Sequence, residues 1–230
     1  MHDANPAPLV SVIIPAFREG ALLERLLASL VPVPGVEVVV SIPYGDEISE
    51  RTAAKFPALV VQGERGRGAQ LCSGVAKAGG EVFLFCHADA MLPDGWKDAV
   101  LSCLVEPGVV GGAFRLRIDS PSFAARIISL GAFLRGGILG LVYGDQAIFT
   151  TRQNYEKAGG FAPYPIMEDV DFVRRLRRIG RFALLGREML VSPRRWEKEG
   201  YLFCTLRNAA LMALYLLGVS PGRLTAWYRS

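Results

Sequence analysis

The sequence predicts an α/β fold in which a mostly parallel central sheet is flanked by helices. Short β-forming runs alternate with helical runs in the first part of the chain, which is typical of strands joined by crossover helices. An apolar strand at residues 81–86 then ends in His87 and Asp89, two side chains able to bind a metal. The chain has 230 residues, 51% of them hydrophobic, which suffices for one large domain or a domain with an appendage.

The elements of the first part follow from β-forming runs and from the spacing of leucines. Residues 9–14 are strongly β-forming, and Pro15 closes this first strand. Residues 19–30 carry leucines at helical spacing. The elements predicted after these are strands at 36–40 and 58–61 and helices at 48–55 and 69–78.

The elements predicted after Asp89 are less regular. Pro93 is typical of the first turn of a helix, which we expect to reach about Glu106. Gly111 and Gly112 lie in a further strand and allow close approach of another backbone. The other predicted elements are this strand at 109–118, irregular helices at 123–142 that form a wall of a cleft, a strand at 147–150, a helix opened by Met167 and a helix at 201–217.

Composition bounds the partners and the compartment. The net charge of +4 and the pI near 9.0 fit an anionic ligand or a membrane surface and do not indicate nucleic acid. The four cysteines form no CxxC pair, which favours reduced thiols in a cytoplasmic protein. The polar N-terminus resembles no signal peptide, and no uncharged apolar run reaches the ~18 residues of a membrane span.

His87 and Asp89 form a candidate metal pair. Positions i and i+2 of an extended segment point to the same side, so the imidazole and the carboxylate can converge on one ion. Ligands of open α/β sheets bind beyond the carboxyl ends of the strands, and a metal there suits a substrate that carries phosphates. The alternative interpretation is a polar turn at the end of a strand.

The glycine-rich loop at residues 63–68 is a candidate anion site. Its glycines let backbone N–H groups approach an anion, the following helix begins there, and Arg65 and Arg67 supply donors. The alternative interpretation is an ordinary turn.

Acidic residues open the helix after Met167. Asp169 is either a carboxylate that stabilises the helix N-terminus or a general base at the mouth of the cleft. Glu168 and Asp171 compete for the same role. Neighbouring helical positions point about 100° apart, so Glu168 and Asp169 cannot both face one acceptor.

The helix at 201–217 is predicted to be amphipathic and to cover the core, and an interfacial membrane helix is the alternative. Arg207 lies in its middle, which makes deep insertion into a membrane costly. The residues expected to face the core are Leu202, Phe203, Leu206, Ala210, Leu214 and Leu217.

Taken together, the motifs resemble those of family 2 glycosyltransferases with the GT-A fold, and more closely those of the bacterial subgroup "transferase 2, rSAM/selenodomain-associated". The resemblance extends from Ser11 to about Tyr228. The matching segments are SVIIPAFRE at 11–19, GRGAQ at 66–70, HAD at 87–89, GDQ at 144–146, MEDV at 167–170 and SPRRWEK at 192–198.

The resemblance implies transfer of a sugar from a nucleotide-diphosphate sugar to the hydroxyl of a small or lipid-linked acceptor, with inversion. A UDP-sugar is the favoured donor, and a GDP-sugar is the alternative. It implies Mn²⁺ or Mg²⁺ at Asp89 and His87, and a catalytic site formed by Asp169 as the base and by Glu168, which holds nearby loop donors or the acceptor. The residues implied for nucleotide-sugar binding are Pro15, Ala16, Phe17, Glu19, Asp46, Arg67, Gln70, Ala88 and Asp89. The residues implied for the acceptor or diphosphate side are Asp145, Gln146, Arg194, Arg195 and Trp196.

Two positions depart from the family pattern. Ser41 stands where the family carries an Asp that recognises the base, although Asp46 matches a later family Asp, and Cys72 replaces a frequent Asn. A nucleotide-sugar binding module without catalysis, or a membrane-docking protein of the same fold, is therefore an alternative function. The predicted organisation is a flexible tail at 1–8, the transferase domain at 9–200 and a helical extension at 201–230 that packs on the domain.

Overall fold

The structure, a computed structural model, describes residues 9–228, with the backbone alone at Leu139. The predicted tail at 1–8 lies outside the described residues. Strands and helices alternate in the first half, as predicted. These elements are β1 (Val10–Pro15), α1 (Ala21–Leu30), β2 (Val36–Pro43), α2 (Glu47–Ala53), β3 (Leu59–Gly63), α3 (Arg67–Val75) and β4 (Val82–Phe85).

The second half contains longer strands and several short helices. In chain order they are β5 (Ala90–Met91), α4 (Trp96–Leu104), β6 (Val109–Ile118), α5 (Phe123–Leu134), a π-helical turn (Arg135–Leu139), a 3₁₀ turn (Gly144–Gln146), β7 (Ile148–Thr151), α6 (Arg152–Lys157), α7 (Glu168–Ile179), β8 (Arg181–Val191), α8 (Arg194–Glu199), α9 (Tyr201–Leu216) and α10 (Pro221–Tyr228). None of the helices within residues 9–228 is both long and apolar enough to cross a bilayer.

The described residues form one eight-stranded sheet in the order β3-β2-β1-β4-β7-β6-β8-β5. Strands β1 to β4 run parallel, and so do β6 and β8. Strand β7 is antiparallel to both β4 and β6, and β5 is antiparallel to β8. The predicted α/β class is confirmed, but the sheet is mixed and the prediction of a mostly parallel sheet is wrong.

The direction of β7 has a structural cause. Phe85 at the end of β4 pairs with Ile148 at the start of β7, and Gly112 of β6 pairs with Phe149. The segment between β6 and β7 thus starts and finishes at the same end of the strands, instead of crossing the sheet to their opposite end. A strand that re-enters the sheet from the same end runs antiparallel to the strand before it. The turn before β7 therefore lies beside the loop after β4.

Two predictions about the second half need correction. The helix assigned to Pro93 begins only at Trp96, because Gly95 precedes it in the left-handed region, with φ of 66°. Strand β8 was missed, because charged residues interrupt its apolar pattern. A bulge at Gly186 and Arg187 shifts its register against β6.

The core lies on both faces of the sheet, since alternate residues of a strand point to opposite faces. Leu84 packs in the cluster that contains α1, while Phe83 and Phe85 pack in the other cluster. There Tyr155 and Phe172 surround Phe85, with ring centroids about 6 Å away. The predicted burial of the strand before His87 is therefore confirmed.

Helix α9 is turned the opposite way from the prediction. Leu202, Phe203, Leu206 and Leu217 are more than half exposed, and Cys204, Leu211 and Met212 face the protein. The prediction that the leucine side covers the core is therefore wrong. The prediction assumed that the apolar side of a surface helix faces the core. The side of α9 that faces the protein carries polar groups that contact the site described next.

Candidate functional site

One cavity beyond the carboxyl ends of β4 and β8 brings together residues from both halves of the chain. Residues 87–89 follow β4 directly, and the turn Gly144–Gln146 precedes β7. Because β4 and β7 are antiparallel neighbours, these two segments meet. The predicted site residues that line the cavity are Arg67, His87, Asp89, Asp145, Asp169, Arg195 and Trp196.

His87 is held as a neutral imidazole. Burial, and then the positive charges of Arg67 and Arg195, lower the pKa of His87 to about 3. A neutral ring keeps a lone pair on one nitrogen, as a metal ligand requires. Gly144 leaves room for this ring, since a Cβ there would lie 2.9 Å from His87 Nε2 and 3.1 Å from Asp169 Oδ2.

His87 and Asp89 fit a divalent cation as a donor pair. The pair offers one imidazole nitrogen and one carboxylate in the same cavity. In the described part of the chain, no group of three or more His, Cys, Asp or Glu side chains could hold a metal. A cation at this pair would complete its six or more positions with ligand oxygens or water.

Asp169 links the turn before β7 to the start of α7. Its Oδ2 accepts a hydrogen bond from Gly144 N at 2.6 Å, and its Oδ1 accepts one from Val170 N at 2.7 Å. Each carboxylate oxygen keeps a second lone pair. The side chain therefore has a structural role at the start of the helix and still contacts the cavity.

Asp145 lies beside Asp169 in a less satisfied environment. Its Oδ1 is buried without a hydrogen-bond partner among the described residues. Burial raises the pKa of Asp145 to about 6, the Arg135 guanidinium opposes this rise, and the charges of Asp169 and Asp89 add to it. An unpartnered buried oxygen facing a cavity suits contact with a hydroxyl-bearing ligand.

The raised pKa of Asp145 predicts a pH-dependent loss of stability. The pKa is about 6 in the folded protein and 3.8 ordinarily, so folding favours the protonated form. This stabilisation is complete below about pH 3.8 and is lost as the pH rises through 6. Relative to Asp145→Asn, the parent should lose roughly 2 kcal/mol of unfolding free energy between pH 4 and 7. Urea denaturation of both proteins at several pH values measures this, and parallel profiles would contradict it.

Arg67 is a fixed positive charge at the start of α3. Its Nε lies 2.8 Å from Glu168 Oε1, and Glu168 is fully buried. Glu168 is the main cause that raises the pKa of Arg67, which therefore stays cationic. Burial raises the pKa of Glu168, and the Arg67 guanidinium opposes that rise. Glu168 thus holds Arg67 and does not line the cavity.

The backbone of the glycine-rich loop allows close packing at the start of α3. Gly66 has φ of 141°, and a Cβ on Gly68 would lie 2.5 Å from Ala162 O and 2.7 Å from Tyr164 O. Gly68 therefore allows the loop before α7 to approach α3. Arg65 lies over the exposed Phe17 ring, 4.2 Å from its centroid.

Other predicted nucleotide-binding residues form the framework behind Phe17. Gln70 Nε2 donates to Ala16 O and to Ser41 O, both at 2.8 Å, so its amide hydrogens are used within the protein. Asp46 caps α2 and accepts from Arg18 N at 2.7 Å. Ser41 is fully buried, and its Oγ has no hydrogen-bond partner among the described residues.

The remaining predicted residues are not cavity-lining. Pro15, Ala16 and Ala88 are buried beside the ends of their strands. Gln146 Nε2 donates to Phe114 O at 3.0 Å, which fixes the turn that carries Asp145. Arg194 forms an ion pair with Glu19 at 2.7 Å, so α8 is tied to the loop after β1.

Sequence reasoning missed several residues that close the cavity. Tyr143 stacks against the Arg135 guanidinium, which lies 3.6 Å from its ring centroid. Asn208 of α9 and Tyr228 of α10 also line the cavity, and Arg195 donates to the Tyr228 hydroxyl. The predicted extension at 201–230 thus supplies part of the site. The one available signal was Asn208, a polar residue within an apolar helix.

Comparisons with known proteins identify the fold and the family. The model of glycosyl transferase family 2 matches residues 11–161. Glucosyl-3-phosphoglycerate synthase from Mycobacterium tuberculosis, crystallised with Mn²⁺, UDP-glucose and glycerol 3-phosphate, superposes with a TM-score of 0.60 at 21% identity, over 79% of this chain and 70% of that one. A second crystal structure, of a mycobacterial protein, superposes with a TM-score of 0.55 at 24% identity, over 80% of this chain and 65% of that one.

At these identities the structural matches show the fold alone. A search of curated proteins found no match. The family model, in contrast, covers well over half of the chain and spans β1 to β7, including the segment that carries His87 and Asp89. The chain therefore belongs to glycosyl transferase family 2 and is a glycosyltransferase.

Proposed function

We propose that this glycosyltransferase moves a sugar from a nucleotide-diphosphate sugar to the hydroxyl of an acceptor, with inversion at the anomeric carbon. A UDP-sugar is the favoured donor, and a GDP-sugar is the alternative. The observation that carries the proposal is the convergence of a metal-binding pair, a fixed guanidinium and two further carboxylates in one cavity. The motifs favour the bacterial rSAM/selenodomain-associated subgroup and a cytoplasmic enzyme.

The donor diphosphate is proposed to lie between Asp89, His87 and Arg67. A bound Mn²⁺ or Mg²⁺ supplies charge neutralisation for the leaving diphosphate. Asp89 and His87 would hold this ion, and a mixed oxygen and nitrogen donor set favours Mn²⁺. Arg67 adds a positive charge that Glu168 keeps in place. A neighbour of the same fold was crystallised with Mn²⁺ and UDP-glucose, which supports this arrangement.

The nucleoside is proposed to lie over Phe17 at the end of β1. Phe17 is exposed, with Arg65 against its ring, so a base could stack there. Asp46 and Gln70 would act indirectly, because their polar groups already hold the backbone of this edge. Pro15, Ala16, Glu19 and Ala88 would complete the pocket walls.

The acceptor is proposed to enter beside Asp145 and Trp196. Asp169 would take the proton of the attacking hydroxyl, and its hydrogen bond from Gly144 N fixes the carboxylate for that task. Asp145 and Gln146 would position the acceptor. Arg194, Arg195 and Trp196 would close the site from α8.

Binding of nucleotide sugars tests the proposal directly. In a thermal-shift screen with and without Mn²⁺, a UDP-sugar at 100 times its dissociation constant should stabilise the fold by about 2.7 kcal/mol. UMP, which lacks the diphosphate, is the control and should stabilise less. If no nucleotide sugar shifts the melting temperature with Mn²⁺ present, the proposal is wrong.

A binding module without catalysis is the second candidate. It is favoured by Ser41, which is buried where the family carries a base-recognising Asp. Release of free nucleotide from the bound donor over time, with and without candidate acceptors, separates the two functions. Binding without any turnover under all conditions would favour the module.

A further inference from the structure

The exposed side of α9 is entirely apolar. Its polar residues Thr205, Arg207 and Asn208 are turned towards the protein, which inverts the usual pattern of a surface helix. The exposed residues recur at intervals of three and four, so they share one side of the helix. They are Leu202, Phe203, Leu206, Ala209, Ala210, Ala213 and Leu216.

Helix α5 carries a similar stripe. Arg126 is its one exposed charged residue. The stripe follows helical spacing and continues into the π-helical turn, where Ile138 is 76% exposed. Its other large members are Phe123, Ile127, Leu130 and Leu134. Together, these residues and the exposed residues of α9 are called the apolar face below.

A groove between α5 and α9 joins the apolar face to the cavity of the candidate site, which is lined by His87, Asp89 and Asp169 and is called the catalytic cavity below. Its outer part is lined by small and aliphatic residues, among them Ile128, Ala132 and Ala213. Its inner part is lined by Tyr143, Asp145, Trp196 and Asn208, which also line the catalytic cavity. The groove has a volume of about 300 Å³, against about 100 Å³ for the cavity, so it has room for part of a hydrocarbon chain.

The segments that build the apolar face carry charge of one sign. Residues 120–144 and 200–230 contain five arginines and no aspartate, glutamate or lysine. Glu199 offsets the charge of Arg207, and Arg126 and Arg223 are exposed. Positive charge beside exposed apolar residues is the pattern of proteins that bind anionic lipid surfaces. Arg207 does not oppose such binding, because its side chain is 12% exposed and pairs with Glu199.

We propose that the apolar face docks on an anionic lipid bilayer and that the groove takes the hydrocarbon chain of a lipid-linked acceptor. The acceptor hydroxyl would then reach Asp145 from the groove. This rests on the proposed transferase function and adds the acceptor class to it. The connection of the groove to the cavity favours a lipid over a second copy of the chain, which would cover the entrance that the acceptor uses.

Vesicle flotation tests the docking surface. The protein should float with vesicles of equal phosphatidylglycerol and phosphatidylcholine, less at high salt, and bind pure phosphatidylcholine vesicles at least tenfold more weakly. The double variant L130E/L206E should lose binding tenfold or more. The matched control I48E/V105E adds the same charges at exposed apolar residues outside the face and should float like the parent. No flotation of the parent, or equal flotation of both variants, overturns the proposal.

The groove is tested with a probe that has a chain and hydroxyls. Dodecyl maltoside below its critical micelle concentration should bind at least tenfold more tightly than maltose. Ala213→Trp narrows the groove and should remove this preference, while Ala210→Trp, on the same helix but outside the groove lining, should keep it. Equal affinity for both sugars, or equal binding by both variants, overturns the assignment of the groove.

Two further measurements on the same preparations complete the test. The UDP-sugar thermal shift with Mn²⁺ reports the proposed transferase site, which L130E/L206E and Ala213→Trp should leave unchanged. A parent protein that shows the donor shift but does not float refutes this inference alone, and a parent that shows no donor shift refutes the proposed function. Sedimentation velocity without lipid should show a monomer. A dimer that L130E/L206E dissociates would assign the face to a second copy instead.

Discussion

Replacing Asp89 with alanine is expected to abolish metal-dependent donor binding while the fold stays intact. Asp89 lines the cavity two residues after His87, and it is the carboxylate of the candidate metal pair. Its backbone oxygen accepts from Ser192 N at 2.9 Å, and this contact survives the substitution. Calorimetry of UDP binding with Mn²⁺ should show a loss of roughly a hundredfold or more, which is about 2.8 kcal/mol.

Two controls make the Asp89 experiment specific. Asp94→Ala removes an exposed carboxylate five residues away, outside the cavity, and should bind the donor like the parent. His87→Ala should weaken binding less than Asp89→Ala, because the imidazole adds no charge to the site. Unchanged affinity in Asp89→Ala would refute the metal assignment, and equal losses in both variants would make the two ligands equivalent.

The first half of the fold was predictable because each element there is encoded locally. Strands β1 to β4 are short apolar runs, and α1 carries leucines at helical spacing. The direction of β7 is not encoded in this way. It depends on the segment between β6 and β7 returning to the same end of the strands, which is a long-range property. The same limit explains why β8, whose polar residues pair with β6, was missed.

The site was predictable where residue type alone indicates chemistry. His87 and Asp89 were named because imidazoles and carboxylates at strand ends bind metals, whereas Asp169 was selected from three neighbouring acids by the family resemblance. Tyr143 and Tyr228 could not be identified, because an aromatic residue is most often part of a core, and only the tertiary fold brings these two to the cavity. Residue type also did not predict the hydrogen bonds of Gln70. Its amide donates to two backbone carbonyls inside the protein instead of facing a ligand.

The orientation of α9 shows why hydrophobicity alone misleads near a site. An apolar stripe normally faces the core because burial removes it from water. In α9 the opposite side carries Asn208, which lines the cavity, and Arg207, which pairs with Glu199. These polar contacts lie on the same side as the buried Cys204, Leu211 and Met212, and the leucines on the other side stay in solvent. The exposed leucines supply the apolar face.

Replacing Asp169 with asparagine is expected to leave donor binding and to reduce transfer by roughly a hundredfold or more. Transfer to a hydroxyl needs a base, and the two other acids at the start of α7 are engaged: Glu168 is buried against Arg67, and Asp171 pairs with Arg175. An amide cannot accept the proton. It also keeps only one acceptor oxygen for the two N–H donors of Gly144 and Val170, so stability should fall by about 1–2 kcal/mol.

Asp145→Asn is the matched variant that decides which carboxylate acts as the base. Both side chains line the cavity, and the pKa of Asp145 is raised to about 6, a value compatible with a base near neutral pH. Donor affinity, transfer rate and unfolding free energy are measured on the same preparations of both variants. We expect the larger loss of transfer in Asp169→Asn. Near-normal transfer there together with a hundredfold loss in Asp145→Asn would move the base to Asp145. Loss of donor binding as well as transfer in Asp169→Asn would instead limit Asp169 to holding Gly144 against the start of α7.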